Sequence, residues 1–224
     1  MKKEEKTRLT CEKIIQAAIA EFGTKSYEAA SLNTICSDNH ISKGLIYHNF
    51  KNKDELYLIC VKQCYEEMTR HIKNTVCHSE SVEEKLKELL NARQVFFEKN
   101  PYYAQIFFNS VLMPPRHLIK ELKELRVGYD ECLKERYAEL LFQMELRKGV
   151  SVEKAIQYLM TMQEMYNGYF REMYYENEDI QKVIETHESR LSELLDMIMY
   201  GIAKKTEDFS ENLLNSVELT GQLG

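Results

Sequence analysis

The chain has 224 residues, 44% of them hydrophobic and 29% charged, with a formal net charge of −6. Eight Gly and three Pro over that length disfavour a loop-rich all-β fold and favour long helices. No apolar stretch approaches the roughly 18 residues of a membrane helix, and the charged start MKKEEKTRLTCEK lacks the apolar core of a secretory signal. The expectation is no membrane contact and a cytoplasmic protein whose six cysteines are reduced.

Apolar residues recur at helical period nearly throughout. Leu9, Ile14, Ile15, Ala18, Ile19 and Phe22 form the first stripe, with Gly23 as its stop. Ser31 caps a short helix ending near Asp38, Asn39 and His40. Ser42 caps the next, with Ile41 and Ile46 placed as a hydrophobic staple. Asn52 with Glu55 opens a long helix to about Val76, and Ser81-x-x-Glu84 opens another to about Lys99. Asn100-Pro101 reads as a cap followed by Pro at the first helical position. After Pro114-Pro115 a very long amphipathic helix is expected from about Arg116 to Lys148, closed by Gly149. Ser151 caps a helix to about Tyr175. Asn177 or Asp179 starts the last, which ends near Gly201. From Lys204 onward the periodicity is weak. The fold class is therefore all-α, with about nine helices and no strand. The domains expected are a helix-turn-helix unit over 1–55 and a helical domain over 56–224, with the fourth helix belonging to both.

The helices opened by Ser31 and Ser42 are separated by about three residues, the spacing of a helix-turn-helix, whose second helix enters the major groove. Around Gly44, which lets the backbone approach closely, stand Lys43, Tyr47, His48 and Asn49, all able to donate to phosphates or base edges. Leu45 suits a thymine methyl. Lys51 and Lys53 sit at a helix N-terminus, and Ser31 and Asn33 at another, where backbone N–H groups favour phosphate. Residues 1–60 carry a charge of +1 and the remainder −7, so the small basic excess falls on the motif.

The runs Ile14-Ile15-Gln16-Ala17-Ala18 with Phe22, Tyr27 to Ile35, and Ile41 to Leu56 (ISKGLIYHNFKNKDEL) resemble the N-terminal domain of the TetR/AcrR family of bacterial transcriptional regulators. The resemblance covers about residues 9–60. The rest agrees with that family in helix number and length alone. It implies a homodimer reading a palindromic double-stranded DNA operator. By position it makes Ser42, Lys43, Gly44, Tyr47, His48 and Lys53 DNA contacts, with Ser31 and Asn33 on the backbone. It also implies a C-terminal domain that binds a small effector and dimerises. The family's usual Ala-Gly turn is here Asn39-His40, two residues that tolerate positive φ better than most. Asn49 stands where His or Tyr is common, which bears on base preference.

In the C-terminal part, the two final helices carry apolar faces suited to a four-helix dimer bundle. The expected dimer residues are Tyr158, Phe170, Ile184, His187, Leu191, Leu194, Leu195 and Ile198. Aromatic and Met residues are dense from 96 to 175. Phe96, Tyr103, Phe107, Phe108, Tyr129, Met162, Tyr166 and Tyr169 are the expected lining of a pocket for an apolar or aromatic, and in one variant cationic, effector. Cys60, Cys64, Met68 and His71 share one face of the fourth helix. They read as core, with a soft-metal or thiol sensor as the other option. Cys11, Cys36, Cys77 and Cys132 read as packing or inert thiols. No P-loop, GxGxxG, HExxH, GxSxG or ExxH pair is present, so no enzyme and no cofactor are expected. The functional reading is a ligand-responsive dimeric repressor. A helical carrier or scavenger of apolar molecules is the alternative.

Overall fold

The computed structural model describes residues 3–176 and 180–202. Among them are nine α-helices and no strand: α1 (Lys3–Phe22), α2 (Leu32–Asp38), α3 (Lys43–Asn49), α4 (Lys53–Asn74), α5 (Val82–Lys99), α6 (Pro101–Leu112), α7 (Ile119–Leu141), α8 (Val152–Glu176) and α9 (Ile180–Ile202). A 3₁₀ turn, Arg116–Leu118, joins α6 to α7. No helix among the described residues is long and apolar enough to cross a membrane.

Several local signals act as the sequence predicts. Ser31, Ser42, Asn52 and Ser81 each accept a backbone N–H from the first turn of the helix they open. Ile41 and Ile46, the staple pair, are both buried. His40 takes φ 52°, the left-handed turn expected of the Asn39-His40 pair.

Other boundaries differ. α1 starts six residues early, because Glu4 and Glu5 favour a helix N-terminus and the exposed Arg8–Glu12 pair (2.7 Å) supports a turn with no apolar stripe. Asn100 does not cap α6. Its amide reaches back to the Phe96 carbonyl at 2.8 Å and closes α5 instead. α7 stops at Leu141, well before Lys148: Gln143 and Met144 bond to carbonyls three residues back, and the resulting turn lays Met144 and Leu146 against the core. Gly149, at φ 84°, completes that turn. The proposed starts of α9 at Asn177 or Asp179, and the tail from Lys204, lie outside the described residues.

α4 is the central strut. It packs on α1 from the N-terminal unit and on α5, α6 and α7 from the helical domain. Its buried face includes Leu56, Tyr57, Cys60, Val61, Cys64, Tyr65, Met68 and Ile72. Cys60 and Cys64 are inside this core, and burial pushes the Cys60 thiol up to about 12. His71 donates Nε2–H to the Ala92 carbonyl at 2.9 Å. Thiols this far from the thiolate, with the imidazole already bonded, are packing groups.

The N-terminal unit is pressed closely on α6. A Cβ added at Gly23 would lie 2.5 Å from Tyr102 Cβ and 2.7 Å from its Cα. α1 ends at Phe22, directly before Gly23 as expected, and Gly23 is required by this close approach as well. Gly23→Ala should lower stability by roughly 1–3 kcal/mol, since backbone must move; a urea midpoint equal to wild type would show that α1 and α6 are not in this contact.

Candidate nucleic-acid interface and the cavity behind it

The helix-turn-helix has one inward and one outward side. Ile35, Ile41, Ile46 and Phe50 are buried and fix α2 and α3 on α1. Ser42, Lys43, Gly44, Leu45, Tyr47 and His48 are all exposed. Nothing lies within 4 Å of a Cβ built at Gly44, so that position faces open space. α3 is thus a short rod with six consecutive-turn positions available to a groove. At the start of α2, Asn33 is exposed, while Ser31 is half-buried. Its Oγ caps the Asn33 N–H at 3.2 Å, and its own N–H goes to the buried Glu21 at 2.9 Å.

Two expected contacts have other partners. Asn49 is turned inward: its Oδ1 accepts the Cys11 thiol at 3.3 Å and its Nδ2 donates to the Leu45 carbonyl at 2.8 Å. It holds α3 against α1. Lys53 lies with Nζ 4.3 Å over the Tyr27 ring and 3.4 Å from the Glu28 carbonyl. Burial there lowers its pKa. It braces α4 against the α1–α2 loop. The same cluster ties in the helical domain, because Asp54 accepts from Tyr27 and lies 3.2 Å from His117 Nε2, just before α7.

Behind this unit, α6, α7 and α8 surround a cavity of about 690 Å³. Phe107, Val111, Tyr129, Ile156 and Met160 give it apolar walls. Arg93, Arg126, Asp130, Gln163, Glu164 and Asn167 give it polar ones. Arg93 is 4% exposed. It meets Glu188 of α9 in two bonds of 2.9 and 3.0 Å, donates to Tyr129 at 3.1 Å and sits over the Phe107 ring. Arg126 bonds Asp130 and Glu164, both at 3.0 Å.

Of the eight expected pocket residues, Phe107 and Tyr129 line this cavity and the other six do not. Phe96 and Tyr103 stack on each other at 6.3 Å, with His71 beside Phe96. Phe108 is wholly buried against Phe97 and His187. Tyr166 packs on Phe170 and gives its hydroxyl to the His187 carbonyl at 3.0 Å. Met162 and Tyr169 lie on another face of α8. Aromatic density marked a core region and could not say which rings border empty space. Gln163 and the Arg93–Glu188 pair were missed, although a charged residue inside the apolar run LLNARQVFF was a usable signal.

The dimer residues need the same correction. Phe170, Ile184, His187, Leu191 and Leu195 are buried within the single chain. They join α8 and α9 to their own core and have no surface left for a partner. The outward apolar stripe of α8 is instead Tyr158, Met162, Met165 and Tyr169, at i, i+4, i+7 and i+11. Tyr158, Met165 and Tyr169 are 49, 63 and 54% exposed. On α9, Leu194 and Ile198 are half-buried and Met197 is exposed.

Residues 14–59 match the family model for bacterial regulatory proteins of the tetR family. The N-terminal unit is a tetR-family DNA-binding domain by this match. The matched stretch runs from α1 into α4 and contains the whole helix-turn-helix. Among the relatives of this chain, the transposon Tn10 TetC protein of Escherichia coli is 35% identical over 60 residues, 27% of this chain and 30% of that protein. IcaR of Staphylococcus epidermidis, a negative transcriptional regulator of the biofilm operon icaADBC, is 35% identical over 54 residues, 24% and 29% of the two chains. Both alignments thus span under a third of the relative. Solved structures extend the likeness of fold across the helical domain. A transcriptional regulator from Cytophaga hutchinsonii superposes with TM-score 0.66 at 15% identity, over 86% of this chain and 98% of that one. FadR from Bacillus subtilis in complex with stearoyl-CoA superposes with TM-score 0.57 at 18% identity, over 81% and 97%.

Proposed function

We propose that this regulator is a dimeric repressor that binds a palindromic operator through α3 and leaves it when a small, largely apolar effector fills the cavity. The observation that carries the reading is the exposed side of α3, from Ser42 to His48, set on a buried footing of Ile41, Ile46 and Phe50. The negative regulator IcaR and the acyl-CoA held by FadR support the sign and the ligand-bearing domain as proposals for this chain. Dimerisation is assigned to the stripe Tyr158, Met162, Met165 and Tyr169 with Leu194, Met197 and Ile198. Two chains would place two α3 rods on successive half-sites.

A route from cavity to DNA follows from the packing. Phe107 and Val111 of α6 line the cavity, and α6 abuts α1 at Gly23 and donates Asn109 Nδ2–H to the Lys25 carbonyl at 3.0 Å. An effector that binds better to one α6 position than to another shifts α1 and hence the spacing of the two rods. The shift is limited by that difference in affinity.

The test is titration of labelled DNA from upstream of the chain's own gene, by fluorescence anisotropy over a range of salt. Lys43→Ala should weaken binding to all duplexes and reduce the slope of log K against log salt by about 0.9 per dimer arm, one released counterion each. An unchanged slope would remove α3 from the interface, and no shift with any upstream DNA would favour a carrier role.

A further inference from the structure

A second cavity lies at the other end of α4. That helix has 22 residues, so its C-terminal end is about 33 Å along the axis from Lys53. There α4, α5, α7 and the segment 75–77 surround a space of about 370 Å³, and none of its lining residues borders the cavity of Arg93. We infer that this space binds a small organic oxyanion of charge −2 with a short apolar body.

The first ground is where the charges fall. Residues 61–224 carry a net charge of −7, yet this cavity is lined by Lys73, Lys85 and Arg136 against the single acid Glu139. The three cations come from α4, α5 and α7, so only the packing of three helices brings them together. Lys73, in the last turn of α4, also complements that helix's dipole. Lys85 does not: it is the fourth residue of α5, at the end that disfavours a cation.

The second ground is what the charges already hold. Arg136 is neutralised by Glu139 at 2.7 Å and gives a second N–H to the Thr75 carbonyl at 3.0 Å. Glu88, one turn beyond Lys85, takes the N–H groups of His78 and Ser79 and the Ser79 hydroxyl. Lys85 bonds the uncharged amide oxygen of Gln143. Among the described residues, neither Lys73 nor Lys85 has a carboxylate within 4.0 Å. Two uncompensated ammoniums on one concave surface attract an anion that can face both.

The third ground is the wall. Val76, Leu89 and Leu140 line the same space, and Val76 is 67% exposed with no cover. The volume is at the lower end of ligand sites and suits one ring or a short chain beside the charged group.

The experiment is calorimetric titration of the full chain at low salt with phenyl phosphate, benzoate and benzyl alcohol, which share an aromatic ring and differ in charge. Phenyl phosphate should bind at least fivefold more tightly than benzoate and at least fiftyfold more tightly than benzyl alcohol, and added salt should weaken it. Lys73→Met and Lys85→Met should each cost phenyl phosphate at least fivefold, and the two together should abolish binding. Neither should lower the Tm of the free chain, because no carboxylate is left behind. Lys85→Arg should retain binding. Ile156→Trp, which fills the other cavity, should leave phenyl phosphate unaffected. Absence of phenyl phosphate binding, benzyl alcohol binding as tightly as phenyl phosphate, or a double variant that binds like wild type would overturn the inference. Loss of binding in Ile156→Trp would move the anion to the other cavity and overturn it as well.

Discussion

Arg93→Leu is expected to destabilise the protein by about 3–5 kcal/mol, a large share of a typical domain's total stability. The size comes from what is left behind. Arg93 and Glu188 side chains are only 4 and 8% exposed, and the substitution strips Glu188 of both guanidinium bonds while keeping it inside. Burial acts to raise the Glu188 pKa; at present Arg93 and His187 outweigh it and hold the carboxyl below its usual range. Without Arg93, burial governs, and the acid is pushed towards its neutral form. The sign with pH follows. A depressed carboxylate contributes stability that is present above its unfolded pKa and lost as pH falls through the folded one. A raised carboxyl carries a folding penalty that vanishes below the unfolded pKa. The wild-type contribution is lost only below about pH 4.5, whereas the variant's penalty eases as pH falls from 7 towards that value, so urea unfolding at pH 7 and pH 5 should give a smaller difference at pH 5. Arg93→Leu with Glu188→Leu should recover most of the loss, since a buried ion pair is often replaceable by apolar groups. A single variant within 1 kcal/mol of wild type would mean that α5 and α9 are not joined as described.

Met165→Asp should leave the fold of each chain intact and abolish dimerisation. Met165 is 63% exposed in the single chain, so its replacement removes little internal packing and should change monomer stability by less than about 0.5 kcal/mol. In a symmetric bundle it would bury two carboxylates facing apolar surface. Operator affinity should fall roughly 10²-fold or more, because the second half-site is no longer held at high effective concentration. Sedimentation velocity and operator titration measure the two effects. A variant that still sediments as a dimer would move the interface off this stripe. Phe170→Asp is the contrasting control: Phe170 is fully buried, and its loss should unfold the chain rather than separate two folded ones.

The N-terminal unit was readable from its residues because its signals are local. Ser31, Ser42 and Asn52 each act on backbone two or three residues away, and Ile41 and Ile46 pack within one turn. The partners that Lys53 and Asn49 find within the chain were not readable, for the opposite reason. Their partners, Tyr27 with Glu28 and Cys11, are about 25 and 38 residues distant. Nothing in the neighbourhood of either residue announces them. The end of α7 was misplaced because an amphipathic period continues through a turn whenever the turn also faces the core, as Met144 and Leu146 do.

Sequence alone determined the all-helical class, the helix caps, the left-handed turn at His40 and the outward side of α3. Each follows from backbone chemistry or from a single apolar stripe. The tertiary structure decided which side of α8 is covered. That helix is apolar on more than one face, with Leu159 and Phe170 inward and Met165 and Tyr169 outward, and periodicity cannot rank two stripes on the same cylinder. It also decided which aromatic rings border the cavity and that Arg93 meets Glu188, 95 residues away. Those outcomes depend on how neighbouring helices cross, which no local pattern encodes.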